Sequence, residues 1–164
     1  MLGATDLEHL KAMWTENHVD CCTQLARLRS SASAADAASD SASAALDGAA
    51  LVMVDALNEL ALRHERSESL VQKMYDKLAT ARRKLADALS DATATDEVLV
   101  SVAASEVALY EQELQLEARL LRALAVSAQP ADVIAACIVW REQPQLSEDE
   151  IDVLYARRAA IAVR

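Results

Sequence analysis

Three cysteines and three histidines have the widest chemical range in this 164-residue chain, and two of the cysteines are adjacent. Cys21 and Cys22 follow His18 at about one helical turn. A structural zinc site needs four ligands in a tetrahedron, usually from two CxxC or HxxxH-like pairs. The second pair is missing here, and neighbouring side chains on a helix point away from each other. Buried or half-exposed thiols are therefore expected, not a metal centre. His64, with Ser67 three residues on, stands where apolar residues are expected. A histidine in apolar surroundings can act as a pH switch. The plainer reading is a loosened layer or a hydrogen bond to a partner.

Two helical enzyme chemistries leave recognisable residues, and neither pattern is present. A di-iron four-helix bundle requires Glu-x-x-His on two helices, and no Glu here has His three residues later. A small all-helical mutase binding a dicarboxylate requires several inward-facing Arg or Lys, whereas the basic residues here lie mostly off the apolar rows. No catalytic, cofactor-binding or metal-binding residue is assigned, and no cofactor is expected.

The elements that would position any site are helices. Only two Gly, two Pro and no Phe occur, and Ala, Leu, Glu, Arg and Gln favour helix. The expected fold class is all-α: a long antiparallel helical hairpin, coiled-coil-like, with an N-terminal helix and two short C-terminal helices. Four regions follow: 1–29 as an N-terminal amphipathic helix, 30–49 as an Ala/Ser-rich linker or nascent helix, 50–129 as the hairpin, and 130–164 as a C-terminal helical tail.

The hairpin carries the strongest pattern. Ala50, Leu57, His64, Val71, Leu78 and Leu85 form one heptad row; Met53, Leu60, Ser67, Met74, Ala81 and Ala88 form the row three places on. Alternating steps of three and four residues put both rows on one helical face, the seam of a coiled coil. A polar segment near residues 90–96 turns the chain back. If facing residue numbers then sum to about 185, Val107 meets Leu78, Leu114 meets Val71 and Leu121 meets His64. Seven acidic residues and no Lys or Arg lie between Asp91 and Glu117. They are expected to be a solvated face paired with the basic flank from Arg63 to Lys84.

In the first helix, expected over residues 6–29 with Thr5 and Asp6 as N-caps, Leu7, Leu10, Trp14, Cys21, Leu25 and Leu28 share a face. Asn17 and Gln24 interrupt it. Residues 30–50 hold ten Ala and six Ser, too little apolar surface to offset the entropy of ordering by packing. After Pro130, a helix over 131–142 carries Trp140. Ser147 to Glu150 form a capping box for a last helix over 148–163. Trp140, Leu146, Ile151, Leu154 and Tyr155 make a C-terminal apolar group that can either anchor a partner or fold the tail onto the hairpin.

Net charge of −10 disfavours nucleic acid and anionic membranes as partners, and no apolar run is long enough to span a bilayer. Met1-Leu2-Gly3 lacks a signal-peptide pattern, and three cysteines do not make a disulfide framework. A soluble, cytoplasmic or otherwise intracellular chain is expected. The function expected is a non-enzymatic scaffold subunit that mediates protein–protein assembly in a multiprotein complex of cytoskeletal, kinetochore or tethering type. Its partners are other helical proteins or itself, with no small-molecule substrate and no membrane insertion. Candidate interaction residues are Leu10, Trp14, Leu25, Trp140, Leu146, Ile151, Leu154 and Tyr155. The alternatives are a self-contained helical-bundle adaptor that docks through its C-terminal helices and, third, a small helical enzyme.

Overall fold

A computed structural model of the chain describes residues 4–38, 43–88, 94–127, 129–146, 149, 151–154, 156 and 160. Four helices account for most of them: α1 (Ala4–Ala38), α2 (Ser43–Asp87), α3 (Ala94–Val126) and α4 (Pro130–Glu142), followed by one 3-10 turn, Pro144–Leu146. Among the described residues there is no strand.

Both ends of the Ala/Ser-rich stretch are helical. α1 runs nine residues past the expected end at 29, and α2 begins at Ser43. Alanine's high helix propensity permits this, and packing supports it, because Ala32 is buried in the core. Residues 30–38 and 43–49 are thus ordered as the tips of two helices that are anchored further along. Thr5 and Asp6 as caps, Ser147 to Glu150 as a capping box, and Tyr155 lie outside the described side chains. Residues 149, 151–154, 156 and 160 are helical, within the range expected for the last helix.

α1 lies along α2 in the most extensive helix–helix interface. The pairs Arg27–Asp55 and Asp20–Arg63 show the two to be antiparallel. α3 folds back along α2, where Tyr75 donates to Glu111 and His64 faces Glu117. These residue numbers sum close to the expected 185, and Val71, Val107 and Leu114 pack in one cluster. α4 packs on α1 and α3, beginning at Pro130 as its first helical residue and ending at Gln143 in the left-handed region, φ 43°. Proline suits that first position because its missing N–H would have no helical partner there. Cys137 Sγ donates to the Leu25 carbonyl at 3.5 Å, and the Gln145 amide reaches Glu113 on α3. The chain thus runs up, down, up and down, the simplest four-helix arrangement.

The core is divided in two. One cluster gathers Cys21, Leu25, Leu28, Ala32, Ala56, Leu60, Leu124, Val133, Ala136 and Trp140 from all four helices. The other gathers Leu7, Leu10, Trp14, Leu70, Val71, Met74, Val107 and Tyr110, with Leu146 packed against it. Trp14 and Tyr110 meet edge to face there at 5.2 Å, a favoured aromatic geometry.

One charge expectation is corrected. Glu106, Glu113 and Glu117 are buried and do not form a solvated face. A two-helix hairpin buries only its seam, but α1 and the tail cover a wider face of α3, and these three glutamates lie on it. Lys11 on α1 meets Glu106 in that covered face. Burial pulls the Lys11 ammonium toward neutrality, and its hydrogen bonds to Glu106 and Glu8 outweigh this, so its pKa is raised overall.

Candidate functional site

Between the two apolar clusters lies a polar waist. Asn17 from α1, His64 and Ser67 from α2, and Glu113 and Glu117 from α3 are all buried. The Asn17 amide donates to Ser67 Oγ and to the Arg63 carbonyl, both at 2.8 Å. The interruptions of two separate seams therefore meet and bond through the Asn17 amide nitrogen, while Asn17 Oδ1 is buried without a hydrogen-bond partner. His64 Nδ1 stands 3.6 Å from Glu117 Oε2, and its Nε2 stands 3.7 Å from Glu68 Oε1. These distances allow charge attraction but exceed a hydrogen bond. Glu113 Oε2 accepts from the Gln145 amide at 2.9 Å, which ties the 3-10 turn to α3.

Burial raises the pKa of both waist carboxyls. It pushes Glu113 up to about 7, a rise that Glu117's charge reinforces and the Gln145 amide opposes. It also pushes Glu117 up against the opposing pull of His64. Two carboxyls and an imidazole are acid–base groups in type. General acid–base catalysis, however, needs the group within reach of a substrate proton, and every member of the waist is enclosed by packed helices. The arrangement instead fixes register: sliding one helix by a turn would set Asn17 or Glu113 against leucine.

The cysteines lie near the junction of α1 and α4. Cys22 Sγ stands 3.6 Å from His18 Nε2, while Cys21 points into the core. Burial raises all three thiols, Cys21 to about 12, which keeps them protonated and poorly nucleophilic. Among the described residues no group of three or more His, Cys, Asp or Glu is placed to hold a metal ion.

The candidate interaction residues are placed mainly in the chain's own core. Leu10 and Trp14 belong to one cluster, Leu25 and Trp140 to the other, and Leu154 is also buried. Leu146 and Ile151 are half-buried. The expected C-terminal apolar group is thus split, with Trp140 in the four-helix cluster and Leu146 against Trp14's cluster.

Exposed apolar residues occur singly on α1 and α3, such as Val19 and Val126, but several gather on α2 in a row that the heptad pattern does not reveal. Leu51, Val54 and Leu62 are exposed, Leu51 by 75%. With Asn58 they follow one another at steps of three and four residues, forming a stripe on the side opposite Ala56 and Leu60. Leu51, Val52, Val54, Asp55 and Asn58 line an open depression of about 370 Å³. The signal was present in the sequence as a second periodic row, but the stronger seam beside it drew the assignment. A smaller outer pair, Ile134 and Ile138, is exposed on α4.

No protein-family model and no curated protein matches the chain. No described helix is long and apolar enough to cross a membrane.

Proposed function

We propose that this chain is a non-enzymatic helical-bundle subunit that mediates protein–protein assembly by offering the outer face of α2 to another helix. The observation carrying this reading is the Leu51–Val54–Leu62 stripe. It is periodic, sits on a well-supported helix, and is left uncovered by a fold that otherwise covers its seams from within. Isolated exposed apolar residues are ordinary, but a contiguous patch on one face is the usual mark of an interaction site. An amphipathic helix laid along such a face would use three- and four-residue anchor spacing.

A second reading keeps the assembly role but places docking on the C-terminal helices. The exposed Ile134 and Ile138, one turn apart on α4, favour it. Affinity capture from the native source separates the two. The intact chain, its Leu51→Ser/Val54→Ser variant and its Ile134→Ser/Ile138→Ser variant serve as baits, each checked for helicity by circular dichroism. Loss of a defined co-purifying protein with the first variant alone supports docking on α2. Loss with the second alone moves the site to α4. No protein dependent on either stripe would overturn the assembly reading.

A further inference from the structure

Charge identifies what the α2 stripe is built to take. Between Arg29 and Arg63 the chain has no Lys or Arg, while Asp36, Asp40, Asp47, Asp55 and Glu59 fall in that interval. The stripe lies within it. Asp47, Asp55 and Glu59 belong to the same helix, and Asp47 and Asp55 are exposed beside Leu51 and Val54. Asp55 is already paired with Arg27 of α1. The stretch of α2 that bears the stripe nevertheless has only carboxylates for charge, and such an apolar row is complementary to a helix whose apolar row is flanked by Lys or Arg.

A second copy of this chain fits less well. Two stripes placed face to face would bring Asp47, Asp55 and Glu59 against the same residues, and like charges across an interface are unfavourable. The chain's own basic stretch, Lys73 to Lys84, does not complement the stripe either. Its apolar residues Met74, Leu78 and Ala81 are already buried in the bundle, so it has no apolar row left to offer. An anionic membrane would be repelled by the same carboxylates.

Resting on the assembly reading above, we infer that the stripe formed by Leu51, Val54, Asn58 and Leu62 binds a basic amphipathic helix of another protein. The apolar anchors supply contact area, Asn58 offers a polar mark that fixes register, and the carboxylates select the sign of the partner. The surface is small, so an affinity on the order of micromolar is expected.

The test uses the full chain and two labelled helical peptides of equal length. Both repeat leucine at three- and four-residue spacing; one has Lys on its flanks and the other Glu. Fluorescence anisotropy at about 0.15 M salt is expected to show the Lys peptide binding at least about tenfold more tightly than the Glu peptide. Leu51→Ser/Val54→Ser, verified as folded by circular dichroism, is expected to weaken it by about tenfold. Asp47→Lys/Glu59→Lys is expected to reverse the preference. Equal binding of the Lys peptide by wild type and the Leu51→Ser/Val54→Ser variant would mean diffuse attraction to an acidic protein and would overturn the inference. So would a wild-type dimer in light scattering that this variant abolishes, since the stripe would then be occupied by a second copy. If native-source capture depends on the stripe but the two peptides bind alike, the assembly role stands and the charge assignment fails.

Discussion

From Arg63 to Asp87, α2 buries Leu70, Val71, Met74, Leu78 and Ala81 and turns lysine and arginine outward. From Leu46 to Leu62 the same helix buries Ala56 and Leu60, yet it also turns Leu46, Leu51, Val52, Val54 and Leu62 toward solvent. The first half follows ordinary amphipathic patterning, with one apolar side and one charged side. The second half is apolar on two sides and has only carboxylates for charge. Folding of this chain explains one of those sides. The other is left to solvent, and it is the side that the proposed docking helix would cover.

The largest effect expected on that contrast comes from truncating leucine on either side of the same segment. Leu60→Ala empties a fully buried site in the four-helix cluster and is expected to cost about 2–5 kcal/mol. Leu51→Ala, nine residues earlier on the outer side, is expected to change stability by less than about 0.5 kcal/mol. Urea unfolding followed by circular dichroism measures both. Comparable losses would show that Leu51 packs within the chain and would remove the main reason for reading its side of α2 as a docking face.

The halves of α2 join at the polar waist, and pH tests that join. Folding raises Glu113 from the ordinary carboxyl value of 4.5 to about 7 and raises Glu117 in the same direction. A raised acid binds protons more tightly when folded, so its stabilisation is full below about pH 4.5 and fades as pH rises through about 7. The groups facing the pair are His64 from α2, whose other ring nitrogen faces Glu68, Cys21 from α1, and Gln145 from the tail. Thermal unfolding is expected to show a bundle less stable at pH 8.5 than at pH 5.5, by on the order of 1–3 kcal/mol. Glu113→Gln keeps an acceptor for the Gln145 amide but cannot ionise, and it is expected to flatten this slope. Glu65→Gln, at an exposed position of α2, controls for the general charge of an acidic chain. An unchanged slope in Glu113→Gln would mean that another group dominates the pH dependence.

The waist also shows how far the sequence could be read. Heptad spacing located the α2–α3 register, because two long apolar rows match in few ways. It also located Asn17 as a break in one seam and His64 with Ser67 as breaks in another. That Asn17 meets Ser67 was not legible, since it depends on how α1 slides along α2, and no spacing within either helix sets that. Nor was the inward face of Glu106, Glu113 and Glu117. Glutamate is seldom fully buried, and only the position of α1 and the tail makes that side of α3 an interior. Residues 30–38 were read by composition as too thin to pack, yet the helix continues there because its start is anchored by Leu25 and Leu28. The outer stripe of α2 was periodic in the sequence from the start; what marks it as a surface is the knowledge of which side the bundle uses.

A smaller effect is expected from the contact that holds the register of α1. Asn17→Ala removes the donor to the buried Ser67 hydroxyl and the second donor to the Arg63 carbonyl, which keeps its intrahelical bond. The expected cost is about 1–3 kcal/mol, measurable by denaturant unfolding. Adding Ser67→Ala to Asn17→Ala is expected to cost little more, because the two residues act as a pair. Fully additive losses would separate them and leave the waist as independent polar residues.

The smallest effect concerns charge at the edge of the stripe. Arg27 and Asp55 form an ion pair at 2.7 Å, but both side chains are largely exposed, by 42% and 62%. An exposed pair gains little from Coulomb attraction in water and loses side-chain entropy when held together. Asp55→Asn is therefore expected to leave the unfolding midpoint nearly unchanged, within about 0.5 kcal/mol. The same substitution removes a carboxylate bordering Leu51 and Val54, so it is expected to weaken binding of the Lys-flanked helix while stability holds. A variant that loses stability and binding together would place Asp55 in the framework of the bundle. One that loses binding alone assigns the carboxylate to recognition, the outcome expected from the proposed docking on α2.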